Sequence, residues 1–288
     1  MLGLREPGTE LLEQAVHVYR TILDERTRER VPYQWAVTQS NLGGTYFELY
    51  NRKNDGAWLL GAIQAYRDAL GELTRERAPR DWALTQNNLG IALRVVGERT
   101  GDVTYLNKAA DAHRAALEEY TRERVPLDWG WTQSNLAFAL VALGQSEQGT
   151  ARLEEAILAF RAALEEQPRE RMPLDWATTQ HGLGGAPCAL GRRKSDTELL
   201  MESVRAFRAA QEILTRDRAA LDWTVIQYNL ATALQELGER DSGTALLQQS
   251  VEAYRAALEG CSPEHLSPIW NHAQTGLKLT LELLSRKA

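Results

Sequence analysis

The chain is poor in the residues that carry covalent or metal chemistry. Its only cysteines in 288 residues are Cys188 and Cys261, and neither stands in a CxxC or any other metal-ligand spacing. A thiol-ligated zinc site is thereby excluded, and two thiols in so long a chain point to a reducing, cytoplasmic setting, the alternative being a single bridge between them. No run of about 18 apolar residues occurs. The start, MLGLREPGTE, carries no apolar signal segment. No membrane partner is therefore expected. An excess of basic charge is also missing: Lys+Arg 33 against Asp+Glu 39 gives a net charge of −6. That balance argues against nucleic acid, which asks for a basic face. The sequence also lacks a glycine-rich phosphate loop, GxSxG, HExxH and any acidic metal cluster. His17, His113, His181, His265 and His272 are scattered, and Cys261 near His265 beside a proline reads as a turn. No enzyme, cofactor or metal is expected.

What is abundant is repetition. Trp35, Trp82, Trp129, Trp176, Trp223 and Trp270 follow one another at intervals of 47 residues. Around them lie versions of one phrase, such as APRDWALTQNNLGIAL at 78–93 and VPLDWGWTQSNLAFAL at 125–140. A period without insertion or deletion marks a tandem array of one supersecondary unit. Such units stack because none buries its apolar face alone, and the product of stacking is surface.

Each unit reads as two helices. The first opens near the Pro-x-Asp-Trp phrase, where proline and an acidic residue both suit a first turn. Its end is expected at a glycine, Gly97, Gly144 or Gly238. The second carries apolar residues at helical spacing, as in Leu153, Ala156, Ile157, Phe160, Ala163 and Leu164. It closes on an arginine-rich tail such as Arg28-Glu29-Arg30 or Arg75-Glu76-Arg77, read as an inter-repeat salt-bridge ladder along one edge.

These units resemble the tetratricopeptide repeat. Its Leu-Gly pair matches Leu42-Gly43, Leu89-Gly90 and Leu183-Gly184, and becomes Leu-Ala at Leu136-Ala137 and Leu230-Ala231. Its Ala-x-x-x-aromatic matches Ala15/Tyr19, Ala62/Tyr66 and Ala156/Phe160; Ala109/His113 departs from it. The family's unit is about 34 residues, so this one is stretched, like the long-unit arrays of bacterial proteins with kinship to the kinesin light chain type. The resemblance implies an all-α, right-handed solenoid of stacked antiparallel helix pairs with about 11 helices. It divides the chain into a half repeat at 1–31, repeats at 32–78, 79–125, 126–172, 173–219 and 220–263, and a half repeat or cap at 264–288.

The resemblance also implies a groove lined by the first helices, and a protein or extended peptide segment as partner. Asn41, Asn88, Asn135 and Asn229 form one column there. Asparagine both donates and accepts, so the column either reads a peptide main chain or bonds neighbouring helices. One residue earlier stand Ser40, Asn87, Ser134, His181, Tyr228 and Thr275. Lysines that clamp a terminal carboxylate in some family members are lacking until the last unit. Leu84, Ile91, Trp131, Phe138 and Val141 are further groove positions; Trp131 and Phe138, seven apart, share a helix face with Asn135. They make a side-chain pocket or fill a wider gap between layers. The tryptophans of the 47-residue column are expected to plug inter-repeat joints. Gln39, Gln86, Gln133, Gln180, Gln227 and Gln274 either bridge layers or face the groove.

Two irregularities stand out. Gly182, Gly184, Gly185 and Pro187 fall within one first helix, which is expected to kink or fray near 183–187. The ends carry unmatched apolar residues, Leu11, Leu12, Val16 and Tyr19 at the front, and Leu277, Leu281 and Leu284 at the back. They allow head-to-tail self-association, the alternative to groove binding. In bacteria such arrays are often joined to peptidase or ATPase domains, so a third reading is the sensor portion of a larger system.

Overall fold

The computed structural model describes residues 8–263 and 267–287. Among them lie twelve helices and no strand: α1 (Thr9–Glu25), α2 (Pro32–Lys53), α3 (Gly56–Leu70), α4 (Pro79–Thr100), α5 (Val103–Leu117), α6 (Pro126–Ser146), α7 (Ala151–Glu166), α8 (Pro173–Lys194), α9 (Thr197–Gln211), α10 (Ala220–Arg240), α11 (Ala245–Glu259) and α12 (Ser267–Lys287). The fold is all-α, with one helix more than the count of about 11. Two compact units divide the chain, Met1–Leu143 and Gly144–Ala288. In the first, α2 packs on α3 and α4 on α5; in the second, α8 packs on α9 and α10 on α11.

Local chemistry explains where the helices begin. α2, α4, α6 and α8 open on Pro32, Pro79, Pro126 and Pro173, where the missing N–H costs nothing and the fixed φ is already helical. α10 opens on Ala220 instead. α3, α5 and α9 are capped by Asp55, Asp102 and Asp196, each accepting from a backbone N–H two residues on, at 3.0, 2.8 and 2.9 Å. Gly149 and Gly243 stand in that column before α7 and α11, which start later and lack a side-chain cap.

The first helices do not stop where their glycines suggest. Gly97, Gly144 and Gly238 lie inside α4, α6 and α10. Their role is steric: a Cβ on any of them would come within 2.6–2.8 Å of the Leu106, Leu153 or Leu247 side chain of the paired second helix. α4 is capped later, at Gly101, and α2 and α8 end likewise on Asn54 and Ser195, all three left-handed with φ of 71°, 51° and 55°, whereas α10 ends on Asp241 in extended conformation.

The small-residue and ring pairing of the repeat is built as its columns imply. Cβ atoms on Gly43, Gly90 and Gly184 would meet the rings of Tyr66, His113 and Phe207 at 2.8, 2.7 and 2.5 Å. Helices approach closely here because nothing stands between backbone and ring. His113 fills the aromatic slot and is fully buried.

α8 does not fray near 183–187 as one form of the expectation had it. It runs unbroken from Pro173 to Lys194 with Pro187 inside. Pro187 is buried where α4, α6 and α10 bury Leu93, Leu140 and Leu234. That packing holds a helix which proline alone would break, at the loss of the bond Leu183 would have received.

Candidate functional site

The tryptophan column and the arginine tails form one structure. Arg28, Arg75, Arg122, Arg169 and Arg216 stack over Trp35, Trp82, Trp129, Trp176 and Trp223, with guanidinium-to-ring distances of 5.0–6.0 Å. Within each unit they also pair with carboxylates of the next repeat: Arg28 with Glu72 at 2.7 Å, Arg75 with Glu118 and Glu119, Arg169 with Glu212 and Arg216 with Glu259. The Arg75 bond holds the Glu119 carboxyl below the usual range. Trp82 packs against Ala69 and Leu73 on one side and Ala83 and Ala116 on the other. The rings are half-buried.

Away from that edge, the first helices of the Met1–Leu143 unit present an apolar face. Leu84 is 46% exposed, Leu127 46% and Trp131 38%. Leu127, Trp131, Asn135 and Phe138 recur at helical spacing on α6. Phe138 and Ile91 are partly buried, and the Arg94 guanidinium lies 5.6 Å from the centre of the Phe138 ring. Val141 is partly buried as well.

The asparagines divide into two kinds. Asn135 donates to Asn87 Oδ1 at 3.3 Å, and Asn229 contacts His181 Nε2 at 3.2 Å. Each therefore reaches the residue 48 positions earlier, on the neighbouring first helix. Asn41 is exposed and Asn88 partly buried; neither side chain hydrogen-bonds another described residue. Asn229 belongs to the Gly144–Ala288 unit, the other three to Met1–Leu143. In the glutamine column, Gln227 donates to Gln211 of the preceding second helix at 3.2 Å.

Sequence reasoning missed a buried polar cluster under this face. His113 Nδ1 meets Asn87 Oδ1 at 2.9 Å, so Asn87 serves both His113 and Asn135. Burial pushes the His113 imidazole down to about 3, with Arg94 adding to the effect. The ring is neutral, Nδ1 carries the proton and Nε2 is left buried without a partner. Part of the signal was present: His113 departs from its aromatic column in the same layer as Asn87.

Cys261 donates to the Ala257 carbonyl, and His265 lies outside the described residues. Among the described residues no group of His, Cys, Asp and Glu could hold a metal ion. No described helix is long and apolar enough to cross a membrane.

A 47-residue period folded into stacked helix pairs defines an α-helical tandem-repeat protein. Residues 225–267 match a sequence model of the tetratricopeptide repeat. The other units repeat the small-residue and ring columns of that stretch, so the array is similar to the tetratricopeptide repeat beyond the matched residues. Its fold is similar to the crystal structure of BtubC (BKLC) from P. vanneervenii, at 16% identity over 96% of this chain and 91% of that one, TM-score 0.46. It is also similar to a circular tandem repeat protein with novel repeat topology and enhanced subunit contact surfaces, at 18% identity over 97% and 77%, TM-score 0.31. A search of curated proteins finds no match.

Proposed function

We propose that the chain is a non-enzymatic scaffold that binds an extended peptide segment of a partner protein on the first-helix face of α4 and α6. The observation that supports this is the exposed Leu84, Leu127 and Trp131 beside the free amide of Asn88. Trp131 and Phe138 accept an apolar side chain, and Asn88 pairs with the main chain. Asn87 and Asn135 hold the layers beneath, and Asn41 and Ile91 extend the surface.

The test is panning of a peptide display library against the intact chain, counter-selected with the Asn88→Ala/Trp131→Ala double variant. Neither target belongs to the buried core, and circular dichroism checks that the variant folds. Enriched peptides that lose the variant support the face as the working surface. Binding indifferent to both substitutions, or no enrichment, overturns it.

Self-association through the outermost helices is the second reading, favoured by exposed Leu11 on α1 and Leu281 on α12. Against it, Lys278 and Ser285 on α12 occupy the columns of Ala231 and Gly238 on α10. A second helix seated there would lack the close approach that inner pairs use. Light scattering showing a concentration-dependent oligomer would reverse this preference.

A further inference from the structure

A cavity of about 580 Å³ opens between α9, α10 and α11, within the size range of ligand sites. Its apolar lining comes from three elements: Met201 and Val204 on α9, Leu234 and Leu237 on α10, and Leu246 on α11. Val204, Leu234 and Leu237 are buried, whereas Met201 is 39% exposed. Arg205, Arg208 and Arg240 stand around it with a single carboxylate, Asp241.

The repeats supply internal controls for those arginines. One repeat earlier, Arg161 occupies the place of Arg208 and holds both oxygens of Glu202, at 2.7 and 2.8 Å. Arg208 faces Gln249 instead, donating to its Oε1 at 2.6 Å. The geometry is kept, but the neutralising charge is gone. Arg240 departs in its own column. There Arg52 donates to the Gly8 carbonyl, Arg99 to Asn54 Oδ1, Arg193 to the Gly144 and Gly149 carbonyls, and Lys287 to the Gly238 carbonyl. Each cation ties its helix end to the preceding repeat. Arg240 instead lies 3.6 Å from Glu236, which Arg192 already engages at 2.8 Å. Arg205 has its own acid, Glu198, at 3.0 Å.

Arg208, bonded to the neutral Gln249, and Arg240, sharing Glu236 with Arg192, thus stand beside one apolar cavity. We infer that this cavity binds an acidic–apolar peptide segment of a partner protein, its carboxylate between Arg208 and Arg240 and its flanking apolar side chains on the Met201–Leu246 floor. Arginine presents a planar donor fork suited to a carboxylate. The apolar floor supplies contact area and lowers the local dielectric in which the charges meet. The site shares no residue with the α4–α6 face, so either reading survives failure of the other.

Met201 makes the test direct, because the chain has only three methionines, Met1, Met172 and Met201. The full chain carrying ¹³C-methyl methionine is titrated with acetyl-Ser-Leu-Leu-Glu-Leu-Ser-amide and with its glutamine counterpart. The expected result is a saturable shift of the Met201 methyl, with Met172 unmoved, and at least tenfold weaker binding of the glutamine peptide. The Arg208→Gln/Arg240→Gln variant should bind the two peptides equally, with Met172 at its native position as the check on folding. Added salt should weaken the native interaction with the acidic peptide alone, a measurement that needs no variant. Equal affinity of the native chain for both peptides, or a Met201 methyl that stays still at millimolar peptide, overturns the proposal.

Discussion

Two layers of the molecule fill the same slot with opposite chemistry. Where α4 meets α5, Gly90 faces His113; where α8 meets α9, Gly184 faces Phe207. Both rings are completely buried. Phe207 is apolar throughout, with the His181 ring 5.9 Å away. His113 keeps one nitrogen bonded to Asn87 and the other unpartnered. The slot therefore specifies a flat ring of a given volume and leaves its polarity to a neighbouring column. The two layers differ in what they cost to keep buried, and acid should separate them.

The largest effect is expected from the feature the layers share. A Cβ at Gly184 would lie 2.5 Å from the Phe207 ring, and one at Gly90 would lie 2.7 Å from His113. Overpacking of this kind costs about 1–3 kcal/mol and sometimes more, so Gly184→Val and Gly90→Val should each lose about 3 kcal/mol in urea unfolding. Gly185 is the control on the same helix, since a Cβ there meets nothing within 4 Å. Gly185→Ala should stabilise by about 0.5–1 kcal/mol, as expected for a helix interior. Equal behaviour of the two glycines would break the ring-slot account.

The second prediction sharpens the contrast between the rings. His113 is pushed from the ordinary histidine value down to about 3 by burial. An unfolded chain takes up a proton near pH 6.5 that the folded chain refuses. The associated stability is full above pH 6.5 and lost as pH falls from 6.5 toward 3. The slope is about 1.4 kcal/mol per pH unit, or roughly 2–3 kcal/mol by pH 4.5. His181, which keeps part of its surface exposed, is pushed the same way, to about 4. His113→Phe puts the α9 kind of ring into the α5 slot and should remove most of its own share of acid loss. Urea midpoints at pH 7 and 4.5 for both proteins decide it. An unchanged pH difference would mean that His113 is not held neutral.

The sequence made the fold legible wherever one residue acts within its own unit. The tryptophan period, the helix-opening prolines and the Leu-Gly/ring pairing all translate directly into packed pairs. Gly97, Gly144 and Gly238 misled because a glycine near the end of an apolar run has two physical uses. It can cap a helix or admit a leucine from its partner, and only the distances to Leu106, Leu153 and Leu247 tell these apart. The ends of α2, α4, α8 and α10 lie at Asn54, Gly101, Ser195 and Asp241, three of which are not glycine. Pro187 misled as to fraying for a related reason: local propensity disfavours a continuous helix there, and burial in a leucine slot overrides it. The candidate site was legible as far as exposure follows from position, as for Trp131 and Leu84. Asn135 and Asn229 have partners 48 residues away, and such pairing depends on how layers stack.

The smallest effect belongs to the edge that both units carry. Arg169 lies 5.0 Å from the Trp176 ring centre and 2.7 Å from a Glu212 oxygen. Its side chain is 44% exposed and that of Glu212 55%. At such exposure an ion pair and a cation–π contact each contribute about 1 kcal/mol or less. Arg169→Met keeps an apolar stem over the indole and removes only the charge, so it should cost about 1 kcal/mol at most. The loss should shrink further in 1 M salt, where the Debye length is about 3 Å. The same arrangement recurs at Arg28, Arg75 and Arg216 in both units, so their small terms add only if the pairs are independent. Combining Arg169→Met with Arg216→Met in the Gly144–Ala288 unit tests that directly. A double-variant loss well beyond the sum would make the arginine–tryptophan edge a coupled element of the stack, and additive losses would make it a row of separate surface contacts.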